Sequence, residues 1–188
     1  MATPSDSTPP DAGSLHQAAL NYLARYAATE AGLRRMLFRR IDTWARGAAD
    51  RDLVAEQVAA ARQATADVVK RLVASGAVSD AAFAESRARS LVHAGRSRRA
   101  VAAQLAAKGV DAELAQSVLP EDAETELVSA LILTRKRRIG PFRTSGEADR
   151  QREFGIMARA GFPRAVAERA LDADAREAEE AIRRLRQG

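Results

Sequence analysis

The sequence predicts an all-α protein built from short helical repeats. Alanine, the strongest helix former, is the commonest residue. Apolar residues recur every three or four positions along most of the chain, and no Asn-Gly, Asp-Gly or Gly-Gly pair offers a tight hairpin turn. Because the 188 residues include only five phenylalanines, two tyrosines and one tryptophan, each helix can bury little surface and must pack against its neighbours.

The first predicted repeat follows a polar tail. Residues 1–13 contain three prolines and few apolar side chains, which predicts a disordered tail. Order is expected from Ser14, which can cap the first helix. The predicted helices are 14–26, 29–47 and 50–75. Together they form helical repeat 1, residues 14–78.

Glycines punctuate the rest of the chain. Helical repeat 2 is expected over residues 79–120 and helical repeat 3 over residues 121–173, with a solvated helical tail over residues 174–188. Residues 105–119 align without gaps on residues 157–171, and both segments read as helix, glycine, short helix. The predicted helices of repeats 2 and 3 are 79–95, 97–109, 111–119, 122–138, 147–160 and one starting at Pro163. Stacking of such units predicts an elongated, curved molecule.

Composition argues against catalysis. The absence of cysteine excludes disulfides, thiolate metal sites and cysteine nucleophiles, and it fits a reducing compartment. No nucleotide-binding loop or hydrolase motif occurs, and His16 and His93 are the sole imidazoles. The acids Glu121, Asp122, Glu124 and Glu126 could bind a metal, but the first turn of a helix favours them structurally. We therefore expect no catalytic residue, no metal and no cofactor, in a cytoplasmic chain without a signal peptide or membrane span.

The charge pattern instead predicts an anionic partner. The formal net charge is +5. Cations at the start of a helix oppose its dipole, so the arginines that open the fifth helix favour an external anion, whereas those closing the seventh have an equally good structural explanation. Tyr22 and Tyr26 lie four residues apart, which favours core packing, with a base-stacking platform as the alternative. The candidate partner- or DNA-binding residues are Arg34, Arg35, Arg39, Arg96, Arg98, Arg99, Lys108, Arg135, Lys136, Arg137 and Arg138.

Four motifs in order resemble the RecX family of bacterial RecA regulators. They are Ala-Leu20-Asn-Tyr22-Leu23-Ala-Arg25, Gly76-Ala-Val78-Ser-Asp80-Ala-Ala-Phe83-Ala84, Arg98-Arg99-Ala-Val101-Ala-Ala-Gln-Leu105-Ala-Ala-Lys108-Gly109-Val110, and Ala158-Arg159-Ala160-Gly161-Phe162-Pro163. Two departures stand out. The Ser-x-x-Glu-Leu typical of the second helix is Thr29-Glu-Ala-Gly32-Leu33 here, and the third helix is longer than is typical of the family.

The resemblance implies three tandem three-helix repeats and a non-enzymatic function. RecX-like proteins lodge in the groove of the RecA–DNA filament, where they inhibit ATP hydrolysis and strand exchange or promote disassembly of the filament. This implies a monomer whose partner is the RecA filament, with DNA contacted through the filament or directly, and with no membrane partner. The basic clusters leave one alternative open, a general helical DNA-binding protein.

Overall fold

The computed structural model describes residues 8–48, 51–120, 122–144 and 149–187. The chain divides into two compact units, residues 1–83 and 84–188. All the regular structure of the described residues is helical, which confirms the predicted all-α class with its helical repeats. No helix in these segments is both long enough and apolar enough to span a bilayer.

The first unit contains three helices and the beginning of a fourth. These are α1 (Ala12–Leu23), α2 (Glu30–Gly47), α3 (Arg51–Ala74) and α4 (Asp80–His93). Helix α2 buries Leu33, Leu37 and Ile41 as its spacing predicts, against Leu15 of α1 and Val68 of α3. The long third helix expected from the sequence is also present, since α3 has 24 residues.

The chain becomes helical earlier than the sequence suggests. Helix α1 starts at Ala12, inside the segment predicted to be a disordered tail. Asp11, and not Ser14, is its N-cap, because the Asp11 carboxylate accepts the Ser14 N–H at 2.8 Å. Pro10 is buried. The prediction of disorder is therefore wrong for residues 10–13, and residues 1–7 lie outside the described part of the chain.

The second unit continues α4 and adds six α-helices with a short 3-10 helix, Gly140–Phe142. The helices are α5 (Arg98–Lys108), α6 (Ala112–Ser117), α7 (Ala123–Arg137), α8 (Arg150–Arg159), α9 (Arg164–Asp172) and α10 (Ala175–Gln187). Helix α7 is central, because it packs against both α9 and α10. Leu131, Ile132, Met157, Leu171 and Ile182 form the middle of this core.

The predicted internal repeat corresponds to a repeated backbone turn. Gly109 and Gly161 both have φ of 88°, in the left-handed region. Val110 N–H donates to the Leu105 carbonyl at 3.1 Å, and Phe162 N–H donates to the Met157 carbonyl at 3.2 Å. This six-residue closure ends α5 and α8 in the same way, so the helix–glycine–helix unit read from the sequence is present in both places.

An arginine occupies the glycine position at the end of α7. Arg138 has φ of 53°, and among the described residues it is the one non-glycine with a positive φ. Ile139 N–H donates to the Thr134 carbonyl at 3.0 Å, which completes the same helix ending. A side chain in this conformation costs roughly 1–2 kcal/mol, so the stability of the fold does not explain why arginine is found here.

Two helices share a capping arrangement at their first turn. Thr29 caps α2 and Ser97 caps α5, and both hydroxyls are buried. The next N–H of each helix is bound by a carboxylate from another helix. Glu30 N–H donates to Asp80 of α4 at 2.7 Å, and Arg98 N–H donates to Glu126 of α7 at 3.0 Å. Each of these helices is thus positioned by a hydroxyl and a carboxylate together.

Two substitutions at left-handed residues that end helices should change the free energy of unfolding in opposite directions. Arg138→Gly removes a side chain from a left-handed residue and should raise the free energy of unfolding by about 1 kcal/mol. Gly76→Ala adds one at φ of 74°, where a new Cβ meets no atom within 4 Å, and should lower it by about 1 kcal/mol. Urea unfolding of both variants measures this, and a loss of stability in Arg138→Gly would contradict it.

Ser97 should matter more than an ordinary helix cap. Ser97 Oγ accepts the Ala100 N–H at 3.2 Å and also donates to the Ala160 carbonyl at 2.7 Å. The exposed Ser79 accepts the Ala82 N–H at the same 3.2 Å and serves as the matched control. Ser79→Ala should cost about 1 kcal/mol of unfolding free energy. Ser97→Ala should cost at least about 1 kcal/mol more, because the Ala160 carbonyl loses its donor. Equal losses in thermal or urea unfolding would refute the added role.

Candidate functional site

The strongest candidate site is a groove where the start of α5 meets the turn between α8 and α9. Arg98 and Arg99 line it together with Phe162 and Pro163, around a volume of about 480 Å³. The backbone at Gly161 approaches the start of α5 closely, since an added Cβ there would lie 2.8 Å from Ser97 Oγ. Glycine at this turn therefore lets α5 dock, and the docking places both arginines in the groove.

Glu126 forms the floor of the same groove. It is 8% exposed, and its carboxylate accepts the Arg98 N–H at 3.0 and 3.3 Å. Burial raises the pKa of Glu126, while the Arg98 N–H and the Arg98 charge act in the opposite direction. The carboxylate supplies a negative charge to the helix start and offsets part of the cost of placing two arginines there. The sequence analysis assigned Glu126 only to the first turn of its own helix.

A second groove adjoins the first and has an aromatic wall. It shares Ala158 and Phe162 with the first groove and has a volume of about 570 Å³. The guanidinium carbons of Arg150 and Arg164 lie 4.9 and 5.7 Å from the centre of the Phe154 ring, within the range of cation–π attraction. The Phe154 ring in the lining of this groove is thus in contact range of two cations.

Neither arginine is among the candidates predicted from the sequence. Arg150 and Phe154 are at positions i and i+4 on α8, a spacing that indicates contact between their side chains. Arg164 reaches the same ring from α9, which no local pattern indicates. Both arginines also form ion pairs, Arg150 with Asp172 at 2.6 Å and Arg164 with Glu168 at 2.8 Å.

The combined groove suits an acidic segment that also carries an apolar side chain. Arginine offers paired N–H donors that match carboxylate or phosphate oxygens. The phenylalanines and alanines offer an apolar surface beside these donors.

The acids considered as metal ligands lie around the start of α7. Asp122 caps this helix, where the Thr125 N–H holds the pKa of the Asp122 carboxyl below its ordinary value. In the described segments no three acids or histidines come together as a metal site, and Glu121 falls outside those segments.

The first two residues of the basic run at the end of α7 bind other parts of the chain. Arg135 binds Glu179 of α10 at 2.9 Å, and Lys136 donates to the Ala94 carbonyl at 2.6 Å. These contacts support the structural explanation of the two residues. Arg137 and Arg138 are exposed, so they stay available to a partner.

The remaining candidates do not gather into one cavity with Arg98 and Arg99. Arg96 is exposed and precedes the cap of α5, and Lys108 is the last residue of that helix, where its charge suits the dipole. In the first unit, Arg34 is ion-paired with Glu30, and Arg35 also has an interaction within the chain. Arg39 is exposed on the same helix.

The pH dependence of stability should reveal the buried Glu126 carboxylate. Because its pKa is raised on folding, the stability that this group contributes is complete below its ordinary value of 4.5. That contribution is lost as the pH rises through the raised value. Glu126→Gln keeps an oxygen for the Arg98 N–H and carries no charge. Urea unfolding at pH values from about 4 to 8 should show the variant gaining stability relative to the original protein as the pH rises. A constant or shrinking difference would contradict this prediction.

Comparisons with known proteins agree with the architecture. A family model described as "RecX, second three-helix domain" matches residues 79–119, the segment of α4, α5 and α6. A crystal structure of RecX from Lactobacillus salivarius has a similar fold, with a TM-score of 0.56 and 18% sequence identity over 95% of this chain and 98% of that one.

Two curated relatives carry the name "Regulatory protein RecX". The protein from Agrobacterium fabrum is 36% identical over 108 residues, which are 56% of this chain and 58% of the relative. The protein from Myxococcus xanthus is 39% identical over 166 residues, which are 85% of each chain. Because that similarity extends over most of both sequences, and the helices match in the segment of the family model, the chain belongs to the RecX family.

Proposed function

We propose that this chain is a non-enzymatic regulator of the RecA recombinase. It binds as a monomer in the groove of the RecA–DNA filament, in the cytoplasm, and inhibits ATP hydrolysis and strand exchange. The observation that carries the proposal is the 39% identity to a protein named as a regulatory RecX over 85% of both chains. The RecA filament as partner and the inhibition of its reactions go beyond what the name of that relative states.

The groove beside α5 supports this proposal. Arg98 and Arg99 line it next to the apolar Phe162 and Pro163, a combination suited to a protein surface that presents carboxylates. The groove shares Ala158 and Phe162 with the second groove, which Arg150 and Arg164 also line. An extended anionic partner such as a filament fits this arrangement better than a small substrate does.

DNA contacts within the complex are assigned to the exposed cations outside this groove. Arg137 and Arg138 are adjacent and exposed at the end of α7. Contacts between such cations and phosphates give affinity without sequence preference. The same residues favour the alternative function, a basic helical protein that binds DNA by itself. Co-sedimentation with the filament and with naked DNA separates the two functions.

Removing the two groove arginines should abolish most of the inhibition. The measurement is the RecA ATPase on single-stranded DNA as a function of the concentration of this protein. In Arg98→Gln/Arg99→Gln, the concentration for half-inhibition should rise at least about tenfold, since charge-assisted hydrogen bonds contribute about 1.5–3 kcal/mol each. Glutamine avoids placing a new carboxylate beside Glu126.

The matched control is Arg183→Gln/Arg184→Gln. These neighbouring arginines are exposed on α10, so the control changes the net charge by the same amount away from the groove. Its inhibition should stay within about twofold of the original, because exposed substitutions have small effects. Equal losses in both variants would assign the effect to net charge. No inhibition by the original protein at stoichiometric concentration would overturn the proposed function.

A further inference from the structure

The two tyrosines of the chain form a ring pair at the end of α1, and one of the two rings is exposed. Tyr22 lies near the end of the helix, and Tyr26 follows in the turn after it, with its N–H bound to the Tyr22 carbonyl at 3.0 Å. The ring centres are 5.2 Å apart, and the ring planes are tilted by 40°. Tyr22 packs against the core of the first unit, but Tyr26 is 57% exposed. The core packing predicted from their spacing is therefore wrong for Tyr26.

The exposure of Tyr26 is unusual for this chain. Among the large hydrophobic residues that the structure describes, it has the highest exposed fraction. The core beneath it is already filled by Leu15, Leu33 and Leu37, which are fully buried. The Tyr26 ring thus contributes little to the packing of the unit and presents an aromatic face to solvent.

A cavity with a positive border lies beside the pair. Its volume is about 350 Å³, and the two tyrosines line it together with Met36, Asn21, Arg25 and Arg40. Its lining contains two cations and no acid. The Arg25 Nε donates to the Asn21 carbonyl at 3.3 Å, which fixes the position of that guanidinium. Aromatic rings together with cations in one cavity are suited to stacking a base and binding the adjoining phosphates.

We propose that Tyr26, supported by Tyr22, stacks a base of single-stranded nucleic acid, with Arg25 and Arg40 on the flanking phosphates. An apolar peptide would use the ring and the methionine but not the positive charge of the lining. An anionic ligand with a flat π surface uses all of these groups. This inference does not depend on the proposed recombinase partner, because the site lies within the first unit and needs the nucleic acid alone.

The test measures fluorescence anisotropy of a labelled oligothymidylate at low salt, with no recombinase present. Tyr26→Ala should weaken binding about tenfold, the effect of losing one stacked base. Tyr26→Phe keeps the ring and should bind within about twofold of the original protein. Leu53→Ala is the matched control, since Leu53 is 51% exposed in the same unit, and it should leave binding unchanged.

Two further measurements separate stacking from simple charge attraction. The original protein should bind an abasic oligomer of the same length about as weakly as Tyr26→Ala binds oligothymidylate. Arg25→Ala and Arg40→Ala should each reduce the slope of log affinity against log salt by about 0.7, the value for one phosphate of a single strand. Equal affinity for abasic and normal oligomers, no binding of oligothymidylate, or an equal loss in Tyr26→Phe and Tyr26→Ala would overturn the proposal.

Discussion

The groove lined by Arg98 and Arg99 depends on one interaction at the start of α5. A carboxylate accepts the first N–H of a helix that a serine hydroxyl also caps. Where alanines supply the apolar contacts of the core, these contacts fix the position of a helix weakly, since each methyl group buries little area. A buried N–H without a partner costs about 1–3 kcal/mol, so Ser97 and Glu126 together impose a definite position on α5. That position places Arg98 and Arg99 beside the turn at Gly161. The same arrangement at Thr29 and Asp80 positions α2 in the first unit.

A second constraint on the structure is the use of arginines in ion pairs between different elements. Arg135 and Arg143 each bind a glutamate of another element, and Glu153, the partner of Arg143, is almost fully buried. Arginine suits this use because its planar guanidinium makes several directed hydrogen bonds at once. Arg62, Arg150 and Arg169 form further ion pairs with acids of other elements, so part of the positive charge contributes to holding the elements together.

The two aromatic surfaces differ in the chemistry they offer. In the second unit, Arg150 and Arg164 both lie near the Phe154 ring, each with its own acidic neighbour, which suits a protein segment with mixed charge. In the first unit, Tyr26 is exposed beside a cavity whose lining has two cations and no acid, which suits a nucleic acid base and its phosphates. The two surfaces therefore differ in the ligand chemistry to which they are suited.

The sequence by itself determined the helical class, the glycine-ended helices and the repeat that relates Gly109 to Gly161, because these features depend on local propensity, periodicity and backbone conformation. It also placed Arg98 and Arg99 at the start of a helix, where their charges oppose the dipole. Only the tertiary structure decided that Lys136 donates to the Ala94 carbonyl, directly after α4. It also decided that Arg164 and Arg150 contact the same phenylalanine ring, and that Tyr26 is exposed. These outcomes depend on which helices meet, and residues far apart in the chain then compete for the same space and the same hydrogen bonds.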